Sequence, residues 1–526
     1  EFCFYFRVSW RPFGYICLMF IRKKLNKSGI VSVQVINKSS GRYKVRKTIG
    51  SSSDPDLTER LVKEGEKWIE NYLGQMDMFS YLDKQEEEKR VINLLLSNIE
   101  NILINGSQII LDKVYKSIGF DKINDDVLKH IVISRLSQPM SKSATVEYLK
   151  AYFDEDIHYQ KIYRYMDQLD GQVQEEIQKI SVEHTRKILG DQIGLIFYDV
   201  TTLYFESNKK DDLREVGFSK DGKHSHVQVV LGLLVSKGGY PLSYSLFNGS
   251  QFEGYTMLPV VEDFITRFKL KDFVIVADSG LMSKTNIELL DSAGYKYIIG
   301  ARIKSESQQI KRWILSLDKS TGTFYEHNKE KGRLIVGYSE KRAKMDAYNR
   351  EKGLSRLRKA FKSGKITKEN INKRGYNKFL DITQGIEVSI NQQKVKEDEQ
   401  WDGLKGYFTN TDLPAKEVYE SYRGLWVIEN AFRVTKGTIQ LRPMFHFTPK
   451  RIKAHVAICF VAYKVYKELE RILKTKQIEL SPDKVIDIAK TITTIKIKLP
   501  ISGEIMTRTM MITERQQSIA ELIEQP

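Results

Sequence analysis

Three acidic residues occupy positions where a carboxylate could do chemistry. Asp199 lies inside the apolar run LIFYDVTTLYF, and Asp278 directly follows the apolar run FVIVA. A charged side chain inside such a strand is costly unless it is paired, and α/β sheets place functional groups at the carboxyl ends of strands. The third acid, Glu429, lies in the segment YRGLWVIENAFRVTK. A structural alternative exists for each: the aspartates could cap turns, and Glu429 could form a surface ion pair with Arg433.

A predicted helix carries the third acid. Residues 412–436 are expected to form one helix, capped by Asp412 or Thr411 and ended by Gly437. Steps of four and three residues place a set of aromatic, basic and acidic side chains on one face: Tyr422, Trp426, Glu429, Arg433 and Lys436. An apolar stripe beside that face predicts that the helix packs on a sheet.

Together the three carboxylates predict a site for two hard divalent cations, Mg²⁺ with Mn²⁺ as a substitute, because such ions prefer oxygen ligands. Two ions about 4 Å apart can activate water or a 3′-hydroxyl and steady the leaving oxygen of a phosphodiester. Nearby cations are expected to hold DNA phosphates: Arg423, Arg433 and Lys436. Tyr422 and Trp426 are expected to contact DNA through their rings.

The elements that must position these acids follow from the apolar pattern of residues 191–305. Strands are predicted at Ile193–Phe205, Val227–Leu234, Leu242–Phe247, Phe273–Ala277 and Tyr297–Ile303, with helices at Met257–Phe268 and Ser283–Ser292. This order predicts a mixed α/β sheet with helices packed on it. Residues 306–404 are hydrophilic, with a basic, helix-like middle, and are expected to be an insertion into that domain.

The N-terminal part of the chain is strongly basic. Residues 19–50 contain nine Lys and Arg residues and no acid, and β-rich runs at Ile30–Ile36 and Tyr43–Ile49 predict a hairpin. We expect four of its cations to contact DNA phosphates: Lys23, Lys24, Arg46 and Lys47. A solvated edge hairpin, with lysines that block aggregation, is the alternative. Residues 76–190 are predicted to be helical, as a DNA-binding region or as a plain scaffold.

Composition agrees with a polyanionic partner. The chain has 526 residues and a formal charge of +17, which favours nucleic acid through counterion release. Three cysteines without metal-ligand spacing imply neither a disulfide framework nor a zinc site, and a reducing cytoplasm fits. No stretch is long and apolar enough to predict a membrane span. Residues 1–18, which precede a start-like Met19, are expected to be a non-native extension.

At four places the sequence resembles the DDE transposases of bacterial insertion sequences, in the subgroup with a Tyr–Arg–Glu–Lys signature around the third acid. These places are FYDVTTLYFES, GFSKDGK with QVVLGLLVS, VADSGLMSKTNI, and YRGLWVIENAFRVTK with the following LRP and histidine. Tyr422 and Lys436 match the signature in position, seven residues on either side of Glu429. The signature arginine does not match: Leu425 stands in its place, and Arg423 is the nearest substitute. Ser250 replaces an asparagine that is usual in relatives.

The resemblance implies an RNase H-like fold in which Asp199, Asp278 and Glu429 are the catalytic and metal-binding triad. It implies metal-dependent cleavage and strand transfer at insertion-sequence ends. The expected partners are double-stranded DNA, as terminal inverted repeats and target, and a second copy of the chain in a synaptic complex. The expected location is the bacterial cytoplasm, associated with the nucleoid. An RNase H-like nuclease without transposition, or a decayed DNA-binding copy, remains as an alternative.

The expected division of the chain follows from these patterns. After the extension at 1–18 come a basic β-rich region, a helical region, a catalytic domain in two parts, its insertion and a C-terminal region: 19–75, 76–190, 191–305 with 405–475, 306–404 and 476–526.

Overall fold

The computed structural model describes residues 19–38, 41–169, 171–190, 193–207, 209–218, 225–281, 283–363, 375–383 and 387–524. The predictions for residues 1–18 and for most of the segment GFSKDGK lie outside these ranges. The chain forms two compact units. The first comprises the described residues up to Asn101 together with Lys496–Thr507, and the second comprises Ile102–Ile495 with the described residues from Arg508 onward.

The first unit is built on an antiparallel sheet of β1 (Met19–Leu25), β2 (Val31–Asn37) and β3 (Lys44–Ser52), with β2 in the centre. The predicted hairpin is therefore present and has an additional strand, Met19–Leu25. A long helix, α1 (Pro55–Ser97), begins at Asp54, whose side chain caps the first turn. The helix packs on the sheet at Gly65, where an added Cβ would lie 2.9 Å from a methyl carbon of Ile21.

The helical region predicted for 76–190 is present apart from one strand. After β4 (Ile99–Leu103), the chain forms helices at α2 (Gly106–Ile118), α3 (Asp126–Ser137), α4 (Lys142–Tyr148), α5 (Tyr159–Gln168) and α6 (Gly171–Leu189). Asp125 accepts a hydrogen bond from the backbone N–H of Leu128 and starts α3. Buried apolar residues of these helices, such as Leu111 and Leu128, belong to one large core.

A mixed sheet forms the centre of the second unit. Its strands, together with the pair β13–β14 outside it, are β5 (Leu195–Tyr204), β6 (Glu215–Val216), β7 (Val227–Ser236), β8 (Pro241–Asn248), β9 (Val274–Ala277), β10 (Lys296–Ala301), β11 (Phe324–Lys329), β12 (Gly332–Tyr338), β13 (Leu380–Thr383), β14 (Glu387–Ile390) and β15 (Leu404–Thr409). Within the sheet β7 is antiparallel to both β5 and β8, whereas β9 is parallel to both β5 and β10. The strands predicted at 193–305 agree with this sheet to within a few residues.

Helices cover both faces of the sheet. The helices that follow α6 are α7 (Met257–Phe268), α8 (Lys284–Ser292), α9 (Gln308–Ser316), α10 (Glu340–Lys362), α11 (Gln392–Glu399), α12 (Ala415–Arg423), α13 (Trp426–Lys436) and α14 (Pro449–Thr475). Because side chains alternate along a strand, Tyr198 packs with α7 residues in one core, and Phe197 packs with α13 and α14 residues in the other. The predicted mixed α/β architecture with flanking helices is confirmed.

The C-terminal region contains α15 (Pro482–Ala489), β16 (Thr493–Lys498), β17 (Ile505–Met510) and α16 (Glu514–Glu524). The insertion contains the predicted basic helix, α10. It also contributes β11 and β12, which extend the central sheet beyond β15. The insertion is therefore continuous with the sheet into which it is placed.

The prediction of one helix over 412–436 is wrong. The helix starts only after Pro414, so neither Asp412 nor Thr411 caps it, and it breaks between α12 and α13. At the break the backbone hydrogen bonds span three residues instead of four: the N–H of Leu425 donates to the carbonyl of Tyr422 at 3.0 Å. Gly424 packs against the ring of Phe197, which an added Cβ would approach to 2.6 Å. Glycine is needed at this close approach to the sheet.

Candidate active site

The first two acids lie side by side on neighbouring strands. In the parallel pairing of β5 and β9, the last registered pair is Tyr198 with Ala277, and each acid is the next residue along its strand. Asp199 shares a sheet face with Phe197, and Asp278 follows the same alternation. That face is the one covered by the α12–α13 break. Two distant segments of the sequence are thus brought to one edge of the site.

Asp278 is held by well-defined contacts. Its Oδ1 accepts hydrogen bonds from the backbone N–H of Ser279 at 2.6 Å and from the Tyr422 hydroxyl at 3.2 Å. The guanidinium of Arg302 donates to the carbonyl oxygens of Ser279 at 2.9 Å and Gly280 at 3.2 Å, which fixes the turn after the acid. The contact with Tyr422 spans 144 residues of sequence and joins α12 to the carboxyl end of β9.

Gly300 on β10 makes room for the tyrosine. A Cβ at Gly300 would lie 2.5 Å from the Tyr422 hydroxyl oxygen, so any other residue would displace the hydroxyl from Asp278. Burial, reinforced by the charge of Asp278, raises the pKa of Tyr422. The phenol therefore stays protonated and acts as a donor to the carboxylate.

Glu429 completes the set of three acids from the helix side. It is exposed in the first turn of α13, next to the buried Ile428. With Asp278 it lines a cavity of about 410 Å³ whose other walls are aromatic and basic. The principal side chains of those walls are Phe324, Arg342, Lys405, Tyr407, Tyr419, Arg423 and Trp426. Asp199 is half-buried, and its Oδ1 accepts the backbone N–H of Val200 at 2.8 Å.

The donor chemistry suits a hard divalent cation, since the acids offer only oxygen atoms. Among the described residues, however, no three His, Cys, Asp or Glu side chains are close enough together to hold a metal ion. Asp278 and Glu429 therefore share one cavity, and Asp199 is the register neighbour of Asp278 on the adjacent strand, but the three acids do not form a finished coordination shell. Oδ1 of Asp278 is already used by two hydrogen bonds.

The structure separates the predicted DNA contacts on α12 and α13. Trp426 is 60% exposed at the cavity mouth, and Arg423 also lines it. Tyr422, predicted to contact DNA, is only 5% exposed and contacts Asp278 instead, because the helix break places it on α12. Arg433 donates to Asn430 at 2.6 Å and faces a different cleft. The ammonium of Lys436 lies 5.5 Å from the ring centre of Phe432.

Two cations of the cavity, Lys405 and Arg342, were not predicted. Lys405 is half-buried on β15, and its ammonium lies 4.4 Å from the ring centre of Tyr422. Burial and the nearby Arg342 lower the pKa of Lys405, whereas the charges of Asp278 and Glu429 act in the opposite direction. The sequence held a signal for it: in LKGYFT, Lys405 and Tyr407 alternate with apolar or small residues and share a face of the strand.

The four predicted cations of the N-terminal sheet are exposed, but they do not share one face. Lys23 forms an ion pair with Glu59 of α1 at 2.5 Å, and the ammonium of Lys47 lies 5.4 Å from the ring centre of Trp68 on α1. Because side chains alternate along a strand, Lys24 lies on the face away from the helix, whereas Arg46 lies at a β-bulge of β3 where the pairing register shifts.

Comparison with known families and structures found one matching family and several similar structures. The family model described as "Transposase DDE domain" matches residues 190–464, just over half of the chain. No curated protein matches. A piggyBac transposase synaptic complex with hairpin DNA is similar at 9% identity over 72% of this chain and 76% of that one, with a TM-score of 0.38. A Mos1 transposase paired-end complex with left transposon end is similar at 9% identity over 30% of this chain and 53% of that one, with a TM-score of 0.15.

No helix in the described part of the chain has the length and apolar character needed to cross a membrane.

Proposed function

The chain belongs to the DDE transposase family, and from this premise we propose that it cleaves DNA at the ends of a bacterial insertion sequence and joins those ends to target DNA. One observation carries the proposal. Asp199 and Asp278 are adjacent in register on parallel strands, on the sheet face covered by the break that leads into the Glu429 helix. This is the arrangement expected of a triad that holds divalent metal ions.

The strand order supports an RNase H-like catalytic core made of residues 191–305 and 405–475. The antiparallel strands β8, β7 and β5 are followed across the sheet by β9 and β10, parallel to β5. The first acid lies on the central strand of this set, and the second lies on its parallel neighbour. Residues 306–404 separate the second acid from the helix of the third, as the proposal requires.

Asp199, Asp278 and Glu429 would hold two Mg²⁺ ions, and Mn²⁺ would serve as a substitute. When bound, these ions would activate the attacking water or 3′-hydroxyl and stabilise the leaving oxygen. The residues of the chain have their own tasks. Tyr422 fixes the orientation of the Asp278 carboxylate, and Trp426 presents an exposed ring to the DNA at the cavity mouth.

The proposed partners are the terminal inverted repeats of the element, the target duplex and a second copy of the chain, with one copy at each end. The formal charge of +17 favours a polyanion. Cations on the N-terminal sheet would hold flanking phosphates, and the helical region 76–190 would contribute to the recognition of the repeats. The proposed location is the bacterial cytoplasm, at the nucleoid.

The test is to remove the charge of each acid while keeping its shape: Asp199→Asn, Asp278→Asn and Glu429→Gln. Each variant should lose cleavage of terminal-repeat DNA in Mg²⁺, because metal affinity falls. DNA binding should be retained or tighter, because repulsion between the carboxylates and DNA phosphates is relieved. Asp272→Asn is the matched control: this exposed aspartate has a φ of 53°, a backbone conformation that asparagine also tolerates.

Gel shift and cleavage are measured on the same preparations. A variant that still cuts near the parent rate would remove that residue from the metal site. Cutting by the parent without joining of a 3′-hydroxyl end to target DNA would identify a nuclease, and binding without any metal-dependent cutting would identify a DNA-binding protein.

A further inference from the structure

Lys405 is an unusual cation for its position. It is half-buried on β15, above the ring of Tyr422, whose hydroxyl reaches Asp278. No ion pair within 4.0 Å joins Lys405 to a carboxylate in the described part of the chain, although Asp278 and Glu429 are close enough to raise its pKa. Partial burial of an ammonium without a direct partner is costly, so a partner from outside the chain would stabilise it.

Arg342, at the start of α10, faces the same space. It lines the 410 Å³ cavity with Lys405, and both cations also line a second cleft of about 400 Å³ that shares Asp278 and Tyr422 with the first. Its positive charge contributes to lowering the pKa of Lys405, so the two cations are close enough to repel each other. Its ion pair with Asp346, at 3.6 Å, is long and lies on the helix surface. Two neighbouring cations without strong partners suit an anion between them.

A third observation concerns the signature arginine. The position four residues before Glu429 is occupied by Leu425, which is buried in the core beneath α13. The chain therefore has no cation at that point of the third-acid helix. The cavity beside Glu429 receives positive charge from Arg423 on α12 and also from Lys405 on β15 and Arg342 on α10.

We propose that Lys405 and Arg342 form a clamp for one phosphodiester of the DNA strand that lies next to Asp278 and Glu429, replacing the absent signature arginine. The inference rests on the proposed function and assigns this contact to residues of the inserted segment and of the strand that follows it. The ammonium acts as a point charge on one phosphate oxygen, and the guanidinium forks onto the others. The phosphate thereby relieves the repulsion between the two cations.

The test measures binding, so that it does not depend on cleavage. The probe is a duplex from the end of the element that encodes this chain, in which single phosphodiesters are replaced one at a time by neutral methylphosphonates. One neutral linkage should weaken binding of the parent chain about tenfold, the size expected for losing a charged contact. Lys405→Met and Arg342→Gln should bind the unmodified duplex about tenfold more weakly and should lose little more at that same linkage.

Matched controls are Arg356→Gln on α10, the helix of Arg342, and Lys416→Met on α12, a helix that packs on β15; both cations are exposed. Both should retain the sensitivity of the parent to the neutral linkage. Lys405→Arg should restore binding, which a purely structural lysine would not require. The clamp is refuted if every neutral linkage weakens parent and Lys405→Met equally, or if Lys405→Met binds as the parent does. Loss of metal-dependent cutting by the parent would instead refute the proposed function and leave this binding result intact.

Discussion

At the scale of single residues, the site depends on how firmly its carboxylates are oriented. The Tyr422 hydroxyl donates to Asp278 across 3.2 Å, in a place that Gly300 keeps open. A partner that orients a metal ligand commonly changes metal affinity or activity 10–100-fold when it is lost. Under the proposed function, Tyr422 is thus a positioning residue for Asp278, and its 5% exposure leaves it little surface for a contact with DNA.

Tyr422→Phe tests this role. The ring should keep its packing, so the melting temperature should change little. The cleavage rate at low Mg²⁺ should fall about tenfold or more, because the free carboxylate no longer holds one orientation, and high Mg²⁺ should recover part of the loss. Cleavage is measured as a function of Mg²⁺ concentration. An unchanged Mg²⁺ dependence would mean that the hydroxyl has no part in orienting Asp278.

Trp426 differs from Tyr422 in its exposure of 60% at the cavity mouth. A ring so exposed contributes little to the core, whereas stacking on an unpaired base is worth about 1–3 kcal/mol. Trp426→Ala should therefore lower DNA end processing at least tenfold and leave the melting temperature nearly unchanged. Steep loss of thermal stability with normal cutting by the remaining folded protein would show that the ring is a packing residue.

At the scale of elements, the sequence was informative where its pattern is local. Strand and helix bounds around both aspartates agree with the periodicity to within a few residues, and α7 spans the predicted Met257–Phe268. The packing of Gly424 on Phe197 was missed because the two residues are distant in the sequence. The pairing of Lys405 with Arg342 was missed for the same reason, since residues on β15 and α10 meet only in three dimensions.

The element α14 also contains a buried ammonium that no periodicity reveals. Lys464 donates to the carbonyl of Ser181 at 3.0 Å and to the Thr185 hydroxyl at 2.6 Å, and so joins α14 to α6. Burial lowers its pKa to about 7. The titratable groups around it lie on α14, on α6 and in the turn before β8: Glu468, Arg471, His184 and Tyr240.

This pKa has a definite consequence for stability. Between about pH 7 and the ordinary lysine pKa of about 10.4, the unfolded state binds more protons than the folded state, so the free energy of unfolding rises with pH. Lys464→Met lacks this contribution. The stability of the parent minus that of the variant, from urea unfolding, should therefore increase from pH 7 to pH 9, by up to about 1.4 kcal/mol per pH unit. The control is Lys453→Met, which changes an exposed lysine of the same helix and should show no such trend. If the stability difference between the parent and Lys464→Met does not change with pH, Lys464 is charged in the folded protein.

At the scale of the whole molecule, the densest group of basic residues and the three proposed catalytic acids belong to different units. Residues 19–50 have nine basic residues and no acid, and they form the sheet of the first unit. The proposed catalytic acids all lie in the second unit. Removing cations from the first unit should therefore weaken phosphate binding without removing a proposed metal ligand, whereas neutralising the acids of the second unit should abolish cutting.

The faces of the N-terminal sheet give the sharpest form of this separation. Lys24 lies on the face away from α1 and Arg46 is exposed at a β-bulge of β3, whereas Lys23 and Lys47 are engaged with Glu59 and Trp68 of α1. Each phosphate contact contributes about 0.9 to the slope of log K against log salt. Replacing Lys24 and Arg46 with Ala should thus lower the magnitude of the slope by about two. The matched pair Lys23→Ala with Lys47→Ala removes the same charge from the helix side and should lower the magnitude of the slope much less.

Equal slopes for the two double variants would show that only the number of charges matters and not their position on the sheet. A slope unchanged from that of the parent in both double variants would exclude the sheet from the DNA interface. Metal-dependent cutting at saturating protein should remain in either pair, because neither change removes a proposed metal ligand.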